Sequence, residues 1–261
     1  MFRGQVFMES YADSYRPMIT RATQRIIFLT IGAFVAQLLA DVVFARPIDS
    51  QIGLTTPGGP LITYLSYQTR YLLNGALWTP FTYMFLHAGL WHLFMNMLLL
   101  YFCGPEVERI LGTRRFYRFY IFCGVVGAFG NFIPALVPVL GADRPVIGAS
   151  GAVMGVLVAF AVAYPHREFF LFPLPVPIPA WALVVIIIIL NILSVGTSTS
   201  VATHFGGMAA GFLYMKGAPY VRSWYNAVRR VPPSPQDEEE ALKRAVNNIF
   251  RFEEEKRRRG K

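Results

Sequence analysis

Gly148-Ala149-Ser150-Gly151 lies where a polar turn runs into an apolar segment that ends near Tyr164, and the organisation of the whole chain follows from this stretch. The apolar segment is a candidate membrane helix, and glycines flank the serine hydroxyl at its start. Such a hydroxyl either packs helices together or acts as a nucleophile. The second interpretation requires other segments to bring a base and hydrogen-bond donors to the same depth.

The composition is that of an integral membrane protein. Of the 261 residues, 54% are hydrophobic and 15% charged, and the mean hydropathy is +0.43, which is too apolar for an ordinary soluble domain. Cys103 and Cys123 lie in apolar runs, so they offer neither a disulfide framework nor a zinc site. The net charge of +9 collects in the flanks and the tail. Anionic lipid headgroups explain it better than a nucleic acid, and we expect no nucleic-acid partner.

The apolar runs predict an all-α membrane protein with six transmembrane helices, because a helix needs about 20 residues to cross the hydrocarbon core. We expect these spans at residues 26–44, 81–103, 119–140, 150–164, 180–193 and 201–215. Gly104-Pro105 is expected to end the second span, glycines to break the third, and Lys216 to end the sixth. Residues 46–76 predict a structured loop lying in the outer membrane interface.

The predicted spans divide the chain into a leader at residues 1–25, a six-helix domain at residues 26–216 and a basic tail at residues 217–261. Six spans put both termini on one side of the membrane. The leader, the turn after the second span and the tail are rich in arginine, which makes that side cytoplasmic. We therefore expect a multi-pass protein of the plasma (inner) membrane of a prokaryote.

The tail predicts a short amphipathic helix. Ser234 is a candidate N-cap, Pro235 falls in the first turn, and Leu242, Val246 and Ile249 form one apolar stripe. A charge run of this kind is more often a solvent-exposed face than a binding site. Docking of a cytoplasmic partner is the alternative.

Polar side chains on different spans come to one depth. At about 1.5 Å of rise per residue, Ser150 and His92 lie about 21 Å, and His204 about 18 Å, from the cytoplasmic end of their helices. Asn96 follows His92 by four positions and shares its helix face, one turn deeper. Because polar groups at membrane depth usually face a protein interior or a water-filled cavity, we expect these four to face each other.

Pairs of glycines predict which helices meet. Gly151 and Gly155 in the fourth span, and Gly207 and Gly211 in the sixth, have the four-residue spacing that lets two helix backbones approach closely. The spacing therefore predicts a contact between Ser150 and the sixth span.

The chemistry that fits these groups is acyl transfer by a Ser-His dyad. His204 is the candidate base for Ser150, and no carboxylate lies at this depth in the two spans concerned. His92, Asn96 and the backbone N–H of Ser150 are candidate donors to an oxyanion. Each group taken alone fits a structural role better, as a helix cap or an interhelical hydrogen bond. Their coincidence at one depth favours the catalytic interpretation.

With these residues established, the chain resembles the rhomboid intramembrane serine proteases. The resemblance is carried by HAGLWHLFMN at residues 87–96, EVERILGT at 106–113, GASG at 148–151 and HFGGMAAG at 204–211. It implies the six-helix rhomboid core and cofactor-free hydrolysis of a peptide bond in or near the transmembrane segment of single-span membrane proteins. The resemblance also implies that the loop after the first span lies in the bilayer, and that the fifth span gates substrate entry.

The resemblance assigns roles to five residues of this chain. Ser150 is implied as the nucleophile and His204 as the base, while His92 and Asn96 belong to an oxyanion site that Gly148 lines.

Two positions depart from the pattern expected of the family. Thr79 follows Trp78 where many members carry arginine, which leaves the anchoring of the outer loop open. Met154 stands where an aromatic ring often packs on the catalytic histidine. Neither departure removes a reacting group, so an active enzyme is expected.

Two other functions fit a chain of this kind. A non-catalytic rhomboid-like protein would bind membrane clients through the same scaffold, although such relatives typically lack the serine or the histidine. A small transporter fits less well, because the polar groups cluster near one face and no inverted repeat is visible.

Overall fold

The computed structural model describes residues 18–44, 59–136, 145–170, 176–194 and 201–228, together with residues 240, 242–244, 247 and 251. The described chain is mostly helical and forms two compact units, residues 1–216 and 217–261. In order, its elements are α1 (Arg21–Phe44), α2 (Pro60–Leu65), α3 (Thr69–Leu73), α4 (Thr79–Thr82), a 3₁₀ turn (Tyr83–Phe85), α5 (Leu90–Leu111), α6 (Thr113–Phe129), α7 (Phe132–Leu136), α8 (Ser150–Ala163), β1 (Glu168–Phe170), β2 (Pro177–Pro179), α9 (Ala180–Leu193) and α10 (Val201–Val228).

Helix α8 is the centre of the larger unit. Every residue from Ser150 to Ala161 is buried except Met154, which is partly buried. Helices α5, α6 and α9 pack against α8. A helix that is buried on all sides has no polar face, which explains why its sequence is apolar after Ser150.

Helices α8 and α10 make the close contact that the glycine spacing predicts. A Cβ atom on Gly207 would lie 1.9 Å from the carbonyl oxygen of Gly151, and one on Gly211 would lie 2.3 Å from that of Gly155. No side chain fits between the two backbones at these positions. The predicted packing of the fourth span against the sixth is confirmed.

The predicted bounds of the second span are wrong at both ends. Residues 79–85 form a separate pair of short turns that is bent by 97° from α5. The chain breaks there because the side chain of Gln37 takes the backbone groups of His87, donating to its carbonyl at 2.9 Å and accepting from its N–H at 3.1 Å. At the other end, α5 continues through Pro105 until Gly112, whose φ of +77° ends it.

The third span also differs from its prediction. Helix α6 begins at Thr113 instead of residue 119, so the arginines expected in a turn lie in its first turns. Gly124 and Gly127 do not break the helix. They admit neighbours, because a Cβ on Gly124 would lie 1.9 Å from the sulfur of Met84 and one on Gly127 would lie 2.9 Å from the carbonyl oxygen of Thr203. The helix ends at Phe129, and residues 137–140 lie outside the described residues.

The bounds of the remaining spans are predicted better. Helix α8 ends one residue before its predicted end, and α9 has the predicted bounds. Helix α10 does not end at Lys216 but continues to Val228, because Gly217 keeps a helical backbone without the positive φ that ends helices. Between α8 and α9, β1 and β2 pair antiparallel, which the all-α prediction does not include.

The loop before α5 is structured over residues 59–76, as predicted, while residues 46–58 of that prediction lie outside the described residues. Tyr67 exchanges backbone hydrogen bonds of 3.0 and 2.8 Å with Val146. Trp78 Nε1 donates to the carbonyl of Tyr64 at 2.9 Å, and Thr79 is buried, with its hydroxyl donating to a carbonyl within the loop. The loop is therefore anchored with Thr79 at this position.

Length and apolar composition identify α1 as long enough to cross a membrane, and the bent pair from Thr79 to Leu111 passes the same criterion as one broken span. Helices α8 and α9 are apolar but shorter. In the smaller unit, Arg244 and Glu240 form an exposed ion pair of 3.0 Å, and Leu242 is exposed. The predicted cap at Ser234 and the rest of the apolar stripe lie outside the described residues.

Candidate active site

Ser150 is the first residue of α8, and hydrogen bonds from two backbone N–H groups hold the turn that precedes it. Gly148 has a φ of +119°, which favours glycine, and its N–H donates to the carbonyl of Tyr83 at 2.9 Å. The N–H of Ala149 donates to Nε2 of His87 at 3.4 Å. The serine hydroxyl therefore sits at the start of a buried helix, on a turn that has little freedom to move.

His204, on α10, lies in contact with Ser150. Its Nε2 is 2.8 Å from the serine Oγ, which is a hydrogen-bonding distance. The glycine pairs between α8 and α10 allow this contact, because they bring the two backbones together within one turn of both residues. The structure thus brings together the two side chains that the sequence predicts to meet, while their catalytic roles stay predictions.

The other ring nitrogen of His204 contacts a residue that sequence reasoning missed. Nδ1 of His204 is 2.6 Å from Oδ1 of Asn191, a buried residue of α9. The signal in the sequence was a single amide within a run of Ile, Val and Leu. A lone polar residue in an apolar helix does not reveal its partner, because the rotation of the helix about its axis is set by packing.

His92 lies against the turn that carries Ser150. A Cβ on Gly148 would lie 2.6 Å from Cε1 and 2.9 Å from Nε2 of His92, so only glycine leaves room for the ring. Nδ1 of His92 accepts from the N–H of Ala88 at 3.4 Å, which leaves the proton of the neutral ring on Nε2. His92 therefore directs a donor N–H at the turn.

Asn96 lies one turn further along α5, on the face of His92, as predicted. It is buried, and its Nδ2 donates to the carbonyl of His92 at 2.9 Å. An amide carries two N–H donors, so this bond leaves Asn96 one N–H for another acceptor. The proposed oxyanion roles of His92 and Asn96 stay predictions.

His87 is a second residue whose importance the sequence did not reveal. It is fully buried, its ring lies 5.1 Å from that of His92 between centroids, and it accepts the hydrogen bond from Ala149 described above. With its backbone held by Gln37, it links α1 to the turn before α8.

Met154 is partly buried and packs against the hydrophobic core. Within the described ranges, no group of three or more His, Cys, Asp or Glu side chains could hold a metal ion.

The fold and the site define a mostly helical membrane protein in which a buried serine at the start of the central helix contacts a partly buried histidine of another helix. The family model described as the Rhomboid domain matches residues 74–218, which is more than half of the chain. The chain therefore belongs to the rhomboid family.

Similar proteins carry rhomboid names. Rhomboid protein 1, mitochondrial, of Saccharomyces cerevisiae is 36% identical over 134 residues, covering 50% of this chain and 38% of that protein. Rhomboid protease GluP of Bacillus subtilis is 32% identical over 120 residues, covering 46% of this chain and 22% of that protein. The human presenilin-associated rhomboid-like protein, mitochondrial, is 33% identical over 81 residues, covering 31% and 21%. The chain thus matches well under half of the length of these relatives.

Proposed function

We propose that the chain is an intramembrane serine endopeptidase that hydrolyses a peptide bond in or near the transmembrane segment of single-span membrane proteins. The observation that carries the proposal is the 2.8 Å contact between Ser150 Oγ and His204 Nε2. A base within hydrogen-bonding reach is what a serine hydroxyl needs to become a nucleophile. The name of the Bacillus subtilis relative, a rhomboid protease, agrees with this activity.

In the proposed mechanism, His204 removes the hydroxyl proton as Ser150 Oγ attacks the carbonyl carbon of the scissile bond. The negative charge that develops on the carbonyl oxygen is stabilised by N–H groups of His92, Asn96 and the Ser150 backbone. His204 then gives its proton to the leaving amine. A water molecule, deprotonated by His204, hydrolyses the acyl-enzyme, and no cofactor takes part.

The proposed arrangement of the chain is six membrane spans formed by α1, α5, α6, α8, α9 and α10. Helix α8 has 14 residues and so spans about 21 Å, less than the about 30 Å of a hydrocarbon core. With its inner end at the cytoplasmic boundary, Ser150 would lie beneath the outer surface of the membrane, where the chemistry needs access for water. This depth favours substrates that are themselves embedded in the lipid bilayer.

The proposed orientation places both termini on the cytoplasmic side, because the arginine-rich segments lie at that end of the spans. The names of two relatives place those proteins in mitochondria, whereas a third comes from a bacterium. The plasma membrane of a prokaryote therefore stays a prediction, as does the docking of a cytoplasmic partner to the tail.

The test is cleavage of a single-span reference substrate by purified protein in lipid. Ser150→Ala and His204→Ala are each expected to abolish cleavage. Thr30→Val is the matched control, because Thr30 lies on α1 and its hydroxyl donates to the carbonyl of Ile26 within its own helix at 2.8 Å. Undiminished cleavage by either site variant refutes the dyad. Substrate binding by the wild-type protein without cleavage supports the non-catalytic alternative.

A further inference from the structure

We infer that Asn191 is a positioning residue that holds the imidazole of His204 in the one neutral tautomer able to accept the proton of Ser150. The inference rests on the proposed function for its catalytic consequence. Its structural part, the position of the ring proton, stands on the hydrogen bonds alone.

The two hydrogen bonds of the Asn191 amide fix its orientation. Nδ2 donates to the carbonyl of Ile187 at 2.8 Å, and a carbonyl only accepts. The amide oxygen is therefore the atom that faces His204, at 2.6 Å from Nδ1. Because that oxygen also only accepts, Nδ1 of His204 must carry the proton.

The position of this proton decides what the opposite nitrogen can do. A neutral imidazole has one N–H and one nitrogen with a free electron pair, so a proton on Nδ1 leaves Nε2 as an acceptor. Nε2 is the atom 2.8 Å from the serine hydroxyl. The hydrogen bonds thus run in one direction, from Ser150 through His204 and Asn191 to the carbonyl of Ile187. With the opposite tautomer, Nε2 would donate to the serine and could not take its proton.

The location of Asn191 agrees with a specific role. Its neighbours in the sequence, Leu190 and Ile192, are each 56% exposed, whereas Asn191 is 7% exposed and faces α10. An amide in an otherwise apolar membrane helix is unfavourable unless its polar atoms find partners. Both amide atoms have one here. When Nε2 of His204 takes the serine proton, the amide oxygen of Asn191 does not take the proton on Nδ1. The hydrogen bond from Nδ1 to Asn191 therefore persists, and the ring keeps its orientation.

The alternative is a purely structural role, in which Asn191 only joins α9 to α10 through an interhelical hydrogen bond. Kinetics separate the two roles. Asn191→Leu keeps the number and branching of the side-chain heavy atoms and removes the acceptor, and we expect it to lower kcat about tenfold or more in folded protein, with KM within about twofold of the wild type. Asn191→Asp keeps an acceptor at the same position and is expected to restore most of the loss. Leu213→Ala, at an exposed position of the helix that carries His204, is the control that should leave both constants unchanged.

The outcome that overturns the positioning role is a folded Asn191→Leu variant with the kcat of the wild type, even where its melting temperature has fallen. That result would leave Asn191 as a link between helices.

A second measurement does not depend on whether a variant of Asn191 folds. The ring-nitrogen chemical shifts of ¹⁵N-labelled histidine distinguish the two tautomers, and the chain has only four histidines. At neutral pH we expect His204 in the wild-type protein to carry its proton on Nδ1, assigned by the signals lost in His204→Gln. A proton on Nε2 overturns the inference whether or not the protein cleaves substrates. A proton on Nδ1 in a protein that cleaves nothing supports the positioning and rejects the proposed protease instead.

Discussion

Replacement of Gly207 by alanine tests how strictly the site depends on the contact between α8 and α10. The new Cβ would lie 1.9 Å from the carbonyl oxygen of Gly151, whereas ordinary contact begins at 3.4 Å. The two backbones must therefore separate by about 1.5 Å, since the obstacle is a backbone atom that cannot rotate away. Helix α10 carries His204, so its displacement acts directly on the candidate base.

The size of the effect follows from the hydrogen bond in the site. Ser150 Oγ and His204 Nε2 are 2.8 Å apart. If the distance between them increases by about 1 Å or more, it exceeds about 3.2 Å, the limit of a good hydrogen bond. We expect a fall in kcat of about 100-fold, which is typical for a misplacement of about 1 Å. Overpacking is also expected to lower the free energy of unfolding by about 1–3 kcal/mol.

The assay combines cleavage of a single-span substrate in lipid with thermal unfolding, so that loss of activity is measured on folded protein. Gly217→Ala is the matched control, because Gly217 lies on the same helix and a Cβ there would have nothing within 4 Å. It is expected to keep full activity. A Gly207→Ala protein with wild-type activity and stability would show that α8 and α10 do not meet as described.

Three further predictions concern the surroundings of the site. Glu108→Gln is expected to lower the free energy of unfolding by about 1–3 kcal/mol, measured by thermal or denaturant unfolding, because the buried carboxylate accepts hydrogen bonds from two backbone N–H groups at the start of α1. Gly148→Ala is expected to reduce cleavage at least about tenfold in folded protein, since alanine is strained at a φ of +119° and would collide with a neighbouring ring; wild-type kinetics would contradict this. Tyr83→Phe removes a buried hydrogen bond of 2.7 Å to the carbonyl of Gly124 and should cost about 1–2 kcal/mol of stability, and an unchanged melting temperature would reject that estimate.

The contact at the centre of the site could be predicted from the sequence because few arrangements satisfy its pattern. Glycines at four-residue spacing in two spans mark where backbones approach, and Ser150 and His204 each lie within about one turn of the first glycine of such a pair. The depth count is less reliable, because α10 continues to Val228 beyond its predicted end. Helix α9 was likewise predictable in its bounds, because it is apolar except for Asn191 and is preceded by a proline-rich segment.

The parts that could not be predicted depend on contacts between distant segments. The break before α5 is fixed by Gln37, which lies 50 residues from the His87 backbone that it holds. The bond between Asn191 and His204 depends on how α9 is rotated against α10, and a sequence that is apolar except for one amide does not encode this rotation. The continuation of α5 through Pro105 is of the same kind, because burial of the flanking residues Cys103 and Val107 offsets the loss of one helical hydrogen bond.

The most direct measurement of the central claim is the site and rate of labelling by a serine-directed fluorophosphonate in folded protein, followed by mass spectrometry. If His204 activates the hydroxyl of Ser150, the label is found on Ser150 in the wild-type protein, and His204→Gln slows its attachment at least about 100-fold. Labelling of another serine, or of Ser150 at the same rate without the imidazole, contradicts the account.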